Sequence, residues 1–240
     1  MKDKFKQLIR SLEIAQVPEE ESMALNNLAQ LGESIVPELL SYASQSGFHS
    51  IKREMLLKVF QKIGYPANKL ALPFIVSEVS NINALGWELA LSILLNIGDP
   101  ALPFVQDALQ FYNQKCDYYS LEVQGLCRFL ELLDSPNILS LLPELLYLLD
   151  AGTDQNCLTE YAIGPIKKIG SPKANSAIPL ISKKIQQLKL EPLRTSLITA
   201  LKSFDVSALQ QLHQLLIDLS SDSSKIIRVS AKDILNTIQS

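Results

Sequence analysis

The chain has 240 residues, 47% of them apolar and 20% charged, with nine glycines and a formal net charge of −3. That share of apolar material supports a continuous core and argues against disorder. Cys116, Cys127 and Cys157 are an odd number without paired spacing, which reads as free thiols in a reducing cytosol rather than a disulfide scaffold.

The first predicted helix covers 3–15, where Phe5, Leu8, Ile9 and Leu12 share one face and Lys2, Lys4, Lys6 and Arg10 lie off it. No apolar run follows that would make a signal peptide. VPEEES, residues 17–22, reads as a turn whose acids favour the next helix N-terminus. Helix pairs are then expected at 22–31 with 35–46, 51–63 with 69–81, 84–97 with 101–113, 120–133 with 138–150, 156–169 with 174–189, and 192–203 with 207–220. A last helix follows at 224–238. The 84–97 segment is apolar almost all round, as in a helix covered on both sides, and Trp87 reads as core more readily than as a ligand platform. No stretch alternates with hairpin turns, so the chain reads as all-α. The longest near-apolar run, 138–149, is too short for a bilayer and carries Pro143 and Glu144, which points to a soluble, cytoplasmic protein without a membrane partner.

One corner recurs. In LLNIGDPALPFVQDAL, residues 94–109, Gly98 ends a helix in a left-handed conformation, Asp99 caps the next and Pro100 suits a first helical position. Its counterparts are Gly32, Gly64, Asp134, Gly170 and Phe204, so the six corners are spaced by 32, 34, 36, 36 and 34 residues. Pro37, Pro73, Pro103, Pro143 and Pro179 follow after five or nine residues; nine leaves room for an extra four-residue turn. The spacing predicts six helix-hairpin repeats over 20–220 within a single domain, 1–240, with 1–16 and 224–238 as capping helices.

These segments resemble HEAT repeats, particularly the short bacterial kind also found in phycobilisome lyase subunits. The resemblance covers about residues 20 to 240 and is best at LNIGDPALPFVQDAL, residues 95–109. It implies an α-solenoid, a right-handed superhelix of paired antiparallel helices used for binding. It implies no reaction and no cofactor.

Charge is uneven along the chain. Residues 1–69 hold 9 Lys/Arg and 8 Asp/Glu, residues 70–166 hold 2 and 12, and residues 167–240 hold 11 and 5. In a repeat array position in sequence maps onto position in space, so the centre is expected to be acidic and the C-terminal part basic. The central repeats would repel a phosphate backbone, and the cations Lys167, Lys168, Lys183, Lys184, Lys189, Arg194 and Lys202 have no aromatic platform beside them, which argues against nucleic acid.

Catalytic patterns are missing from the sequence. There is no G-x-S-x-G, Walker or G-x-G-x-x-G motif, and His49 and His213 lack a partner at metal-ligand spacing. Glu20 and Glu21 read as solvated. The expected function is a non-enzymatic scaffold or adaptor that engages a basic protein, as a bacterial immunity-type inhibitor would, through its acidic middle. The candidate contacts are Glu78, Gln106, Asp107, Gln110, Asp117, Tyr118, Tyr119, Glu144, Asp150 and Asp154, with charge steering encounter and tyrosines buried at the centre. The alternatives are an accessory subunit of an enzyme such as a bilin lyase, or a HEAT-like nucleic-acid-binding protein. Oligomeric state is open at this level.

Overall fold

The computed structural model describes residues 2–44, 51–83, 85–114 and 120–239, and among the described residues every regular element is helical. In chain order the helices are α1 (Lys2–Ile14), α2 (Pro18–Ala29), α3 (Val36–Ser44), α4 (Ile51–Ile63), α5 (Leu72–Val79), α6 (Trp87–Ile97), α7 (Leu102–Asn113), α8 (Ser120–Leu132), α9 (Leu142–Ala151), α10 (Leu158–Ile169), α11 (Ile178–Gln187), α12 (Glu191–Leu201), α13 (Val206–Leu209), α14 (His213–Leu219) and α15 (Lys225–Gln239). No single helix among the described residues is long and apolar enough to cross a membrane.

The corners follow from local chemistry. Gly32, Gly64, Gly98 and Gly170 all have positive φ, between 60° and 73°. At Gly98 ψ is −139°, outside the left-handed helical basin expected for it and in a region open essentially to glycine alone. A Cβ there would meet nothing within 4 Å, so alanine is disfavoured by the backbone and not by a neighbour. Gly98, not Asp99, takes the cap position, and Asp99–Ala101 forms a 3₁₀ turn before α7. Similar 3₁₀ turns precede α3, α5, α9 and α11, and Pro37, Pro73, Pro103, Pro143 and Pro179 then occupy the second residue of each helix, where no N–H is needed. In the two glycine corners with nine-residue spacing, the extra residues 65–68 and 171–174 form hydrogen-bonded turns. Asn68 N–H donates to Gly64 O and Ala174 N–H to Gly170 O.

Several expected boundaries shift: the second helices start later, after their 3₁₀ turns, the helix expected at 207–220 is broken into α13, a 3₁₀ turn and α14, and two further boundaries have a clear local cause. Residues 18–22 are the first turn of α2 rather than a loop, because Pro18 starts the helix and Glu19, Glu20 and Glu21 follow at its positive end. Nor are those acids simply solvated: Glu20 accepts from Gln16 N–H at 3.0 Å and Glu21 from Lys58 Nζ at 2.8 Å. At the other boundary, α6 starts at Trp87, after Gly86 has passed close to α4. A Cβ at residue 86 would lie 2.5 Å from Leu57 Cδ1. Trp87 is half-buried and donates its indole N–H to Val79 O, closing the end of α5.

The chain divides into two compact units, Met1–Val105 and Gln106–Ser240. Within the first, α2 packs against α1 and α4, α4 against α6, α3 against α4, and α5 against α6. Within the second, α10 packs against α8 and α12, α12 against α15, α9 against α10 and α11, α11 against α12, and α14 against α15. Helices two apart in chain order are therefore neighbours in both units.

Leu28, Leu56, Leu57 and Phe60 are fully buried in the first unit, and Leu126, Phe129, Ile166 and Leu197 in the second. Each contributes about 1.5–3 kcal/mol through burial. In α6, Ala90, Leu91, Ile93 and Leu94 are buried, whereas Leu89, Leu95 and Ile97 are half-buried, so the helix is less enclosed than its composition implies. Polar contacts recur at the corner interval. Lys62 Nζ reaches Asn26 Oδ1, 36 residues back, at 2.9 Å, and Lys168 Nζ reaches Leu133 O, 35 back, at 2.6 Å.

Candidate functional site

Helices α7 and α9, LPFVQDALQFYN and LPELLYLLDA, contain three acids and no lysine or arginine. Gln106 and Gln110 stand one turn apart on α7, and both donate to Glu144 Oε1 of α9, from Nε2 at 2.9 and 2.7 Å. Asn113, one turn further, donates to Glu144 O at 3.4 Å. This cluster lies within the second unit and brings together three of the residues expected at a partner surface.

Glu144 itself departs from that expectation. It is only 7% exposed, because its side of α9 faces α7 and the glutamines close over it. Its Oε2 is buried without a hydrogen-bond partner among the described residues. What reaches solvent is the adjoining stripe: Asp107, Gln110 and Phe111 on α7, and Tyr147 one turn along α9 from Glu144. Phe111 and Tyr147 were not singled out from sequence. The helical spacing of Tyr147 from Glu144 was the available signal.

Glu78 also proves not to be a surface contact. It belongs to the first unit, is 1% exposed and pairs with Arg53, whose Nε donates to Glu78 Oε1 at 2.9 Å and whose Nη2 reaches the same oxygen. The guanidinium carbon sits 4.8 Å from the centre of the Phe74 ring, so apolar packing and charge pairing hold Arg53 together. Nothing in IKREMLLKVF singles out Arg53, since its partner lies 25 residues on.

Asp150 and Asp154 carry internal bonds. Asp150 Oδ1 accepts from Lys183 Nζ at 2.9 Å, which holds its carboxyl below the usual carboxylate range. Asp154 accepts from the backbone N–H groups of Lys189 and Leu190 at 3.0–3.1 Å; those bonds lower its pKa and tie the segment that enters α12. Both acids stand opposite the basic stretch that follows them by one interval, which is why they are engaged within the chain. Asp117, Tyr118 and Tyr119 lie outside the described residues.

The C-terminal cations are largely occupied as well. Lys184, 5% exposed, donates to Asp150 O and to Gly152 O, the latter at 2.7 Å, and so satisfies carbonyls at the end of α9. Burial pulls its ammonium below the usual lysine range, opposed by Asp150. Lys168 does the same at the end of α8, donating to Glu131 O and Leu133 O. Arg194 pairs with Asp222, and Lys202 with Asp233 at 3.1 Å. The segregation of charge seen in sequence is thus partly cancelled by contacts between successive helix pairs.

Among the described residues no group of three histidine, cysteine or acidic side chains is gathered as a metal site. Cys127 is buried, and burial followed by the nearby Glu131 pushes its thiol far above the usual range. Cys157, half-buried, caps α10 at φ 54°. Comparison with family models, with curated proteins and with solved structures finds no match to this chain.

Proposed function

We propose that the chain is a non-enzymatic, cytoplasmic protein-interaction module, each unit a stretch of HEAT-like α-solenoid, which binds a basic protein through the exposed face of α7 and α9. The observation that carries this reading is the combination on that face. Asp107 and Gln110 lie beside exposed Phe111 and Tyr147, on two helices without a single cation. Of the three acids on these helices Glu144 is buried and Asp150 pairs with Lys183, so Asp107 is the exposed acid that favours a basic partner, and the exposed aromatics supply the area that becomes buried on contact. The repeat part of the reading draws support from the glycine corners at regular intervals, the neighbouring of helices two apart in each unit, and side-chain bonds spanning one interval. Solenoid repeats present extended surfaces of this kind, and their function lies in the surface rather than in a reaction centre.

The test compares affinity capture on the wild-type protein with capture on Asp107→Lys and Tyr147→Ala. The reading expects a basic protein retained by the wild type, released by raised salt, and retained about tenfold less by each variant. Thermal unfolding of the two variants should match the wild type, because both side chains are exposed. Capture of the same protein in equal amount by all three, or of an acidic partner, overturns it.

A further inference from the structure

Glu78 of α5 shows how this chain completes an acid that is shut away from water. One of its oxygens accepts from both Nε and Nη2 of Arg53, and the guanidinium carbon lies over the Phe74 ring, 4.8 Å from its centre. Phe74 stands one turn before Glu78 on the same helix. Acid, guanidinium and ring thus form one unit, with the cation bonded to the first and set over the last.

Glu144 of α9 has the acid and the ring without the cation. It is 7% exposed, its Oε1 takes the amides of Gln106 and Gln110, and its Oε2 is buried with no hydrogen-bond partner among the described residues. Nor does any lysine or arginine among the described residues pair with it. Tyr147, 52% exposed, stands one turn along the same helix, and Phe111, 50% exposed, follows Gln110 on α7. A carboxylate oxygen closed off from water and from donors is costly, and a cation that reaches it removes the cost. The cover over it is movable, because Gln110 is itself exposed and its side chain can turn into water.

We propose that Glu144 is the receptor for one arginine of the bound protein. The guanidinium enters where the Gln110 amide lies, pairs with the carboxylate and rests on the Tyr147 ring, as Arg53 does with Glu78 and Phe74. This rests on the reading of the α7–α9 face as the contact for a basic protein, and it names what that face selects. Arginine fits and lysine does not, because a planar fork of five donors bonds a carboxylate and an amide oxygen at once while its face covers a ring. An ammonium is compact, more strongly hydrated and harder to bring under cover. Asp107, exposed on α7, adds an attraction at longer range that treats the two cations alike.

Fluorescence anisotropy tests this, with labelled oligoarginine and oligolysine peptides of equal length titrated with the full chain at low salt. The wild type should bind oligoarginine at least about tenfold more tightly than oligolysine. Glu144→Gln, which keeps an acceptor for both amides, should bind both peptides at the oligolysine level, and its urea unfolding should stay close to that of the wild type. Gln110→Ala removes the cover and leaves the acid, so it should bind oligoarginine at least as tightly as the wild type does. Asp107→Lys should weaken both peptides by the same factor. A wild type that binds neither peptide or both alike, a Glu144→Gln variant that keeps the preference, or a Gln110→Ala variant that loses it overturns the proposal. If Asp107→Lys still weakens both peptides in that event, the reading of the face as a contact for a basic protein stands without the arginine receptor. If Asp107→Lys changes neither, that reading falls as well.

Discussion

Glu78 in the first unit and Glu144 in the second are both acids on the second helix of a pair and both nearly inaccessible, and they are held by different kinds of partner. Glu78 meets a full positive charge, since Arg53 bonds one of its oxygens with two guanidinium nitrogens and lies against Phe74. Among the described residues Glu144 meets neutral amides alone, those of Gln106 and Gln110, and its second oxygen has no hydrogen-bond partner there. Removing one member of a buried ion pair strands the other charge. Removing a carboxylate held by amides strands only dipoles, one of them on Gln110 at the surface, where water replaces the lost bond. The first acid therefore holds its unit together, and the second mainly positions the glutamines beside the proposed contact face.

The largest expected effect is at Glu78. Replacement by alanine should destabilise the protein by about 3–5 kcal/mol in urea unfolding, and Arg53→Met with Glu78→Leu should restore most of the loss. A single-variant cost below about 1 kcal/mol would erase the contrast.

Next is Asp222. Burial raises its pKa, but the bonds from Arg194, Ser224 N–H and Ser223 outweigh burial and hold it below the usual value. A depressed carboxylate contributes stability above its unfolded pKa of about 3.9, and that contribution is lost as pH falls through the lower, folded value. Asp222→Asn should cost about 1.5–3 kcal/mol at neutral pH and flatten the acid limb of the stability profile, which a pH series of denaturant melts reads directly.

Lys184 inverts the case, as a buried cation satisfied by carbonyls instead of an acid satisfied by amides. Lys184→Met leaves Asp150 O and Gly152 O without their donor and should cost about 1–3 kcal/mol, with the loss of protection in hydrogen exchange concentrated at the end of α9.

The smallest effect is at Glu144. Glu144→Gln keeps an acceptor for both glutamine amides and should change stability by less than about 1 kcal/mol in the same melts. A cost comparable to that of Glu78→Ala would mean that the carboxylate charge is needed, and the two acids would then be alike.

Much of the helical layout was legible in the residues themselves. Gly98 and Pro103 report a corner because only glycine tolerates that φ and ψ and because proline fits the start of a helix, and both are local properties. The first turn of α2 was misread because VPEEES carries polar residues that suit a turn and a helix N-terminus equally. The candidate site was legible only in part. Gln106, Gln110 and Glu144 do come together, whereas Glu78, Asp150 and Asp154 serve internal bonds, and the two cases look the same in sequence.

The sequence by itself determined that this chain is helical, where it turns and where its charges fall along its length, because propensity, capping and periodicity act over a few residues. Only the tertiary structure decided which acids face water. That depends on partners 25 to 38 residues away, such as Arg53 for Glu78 and Gln106 for Glu144, and on which side of each helix its neighbour covers.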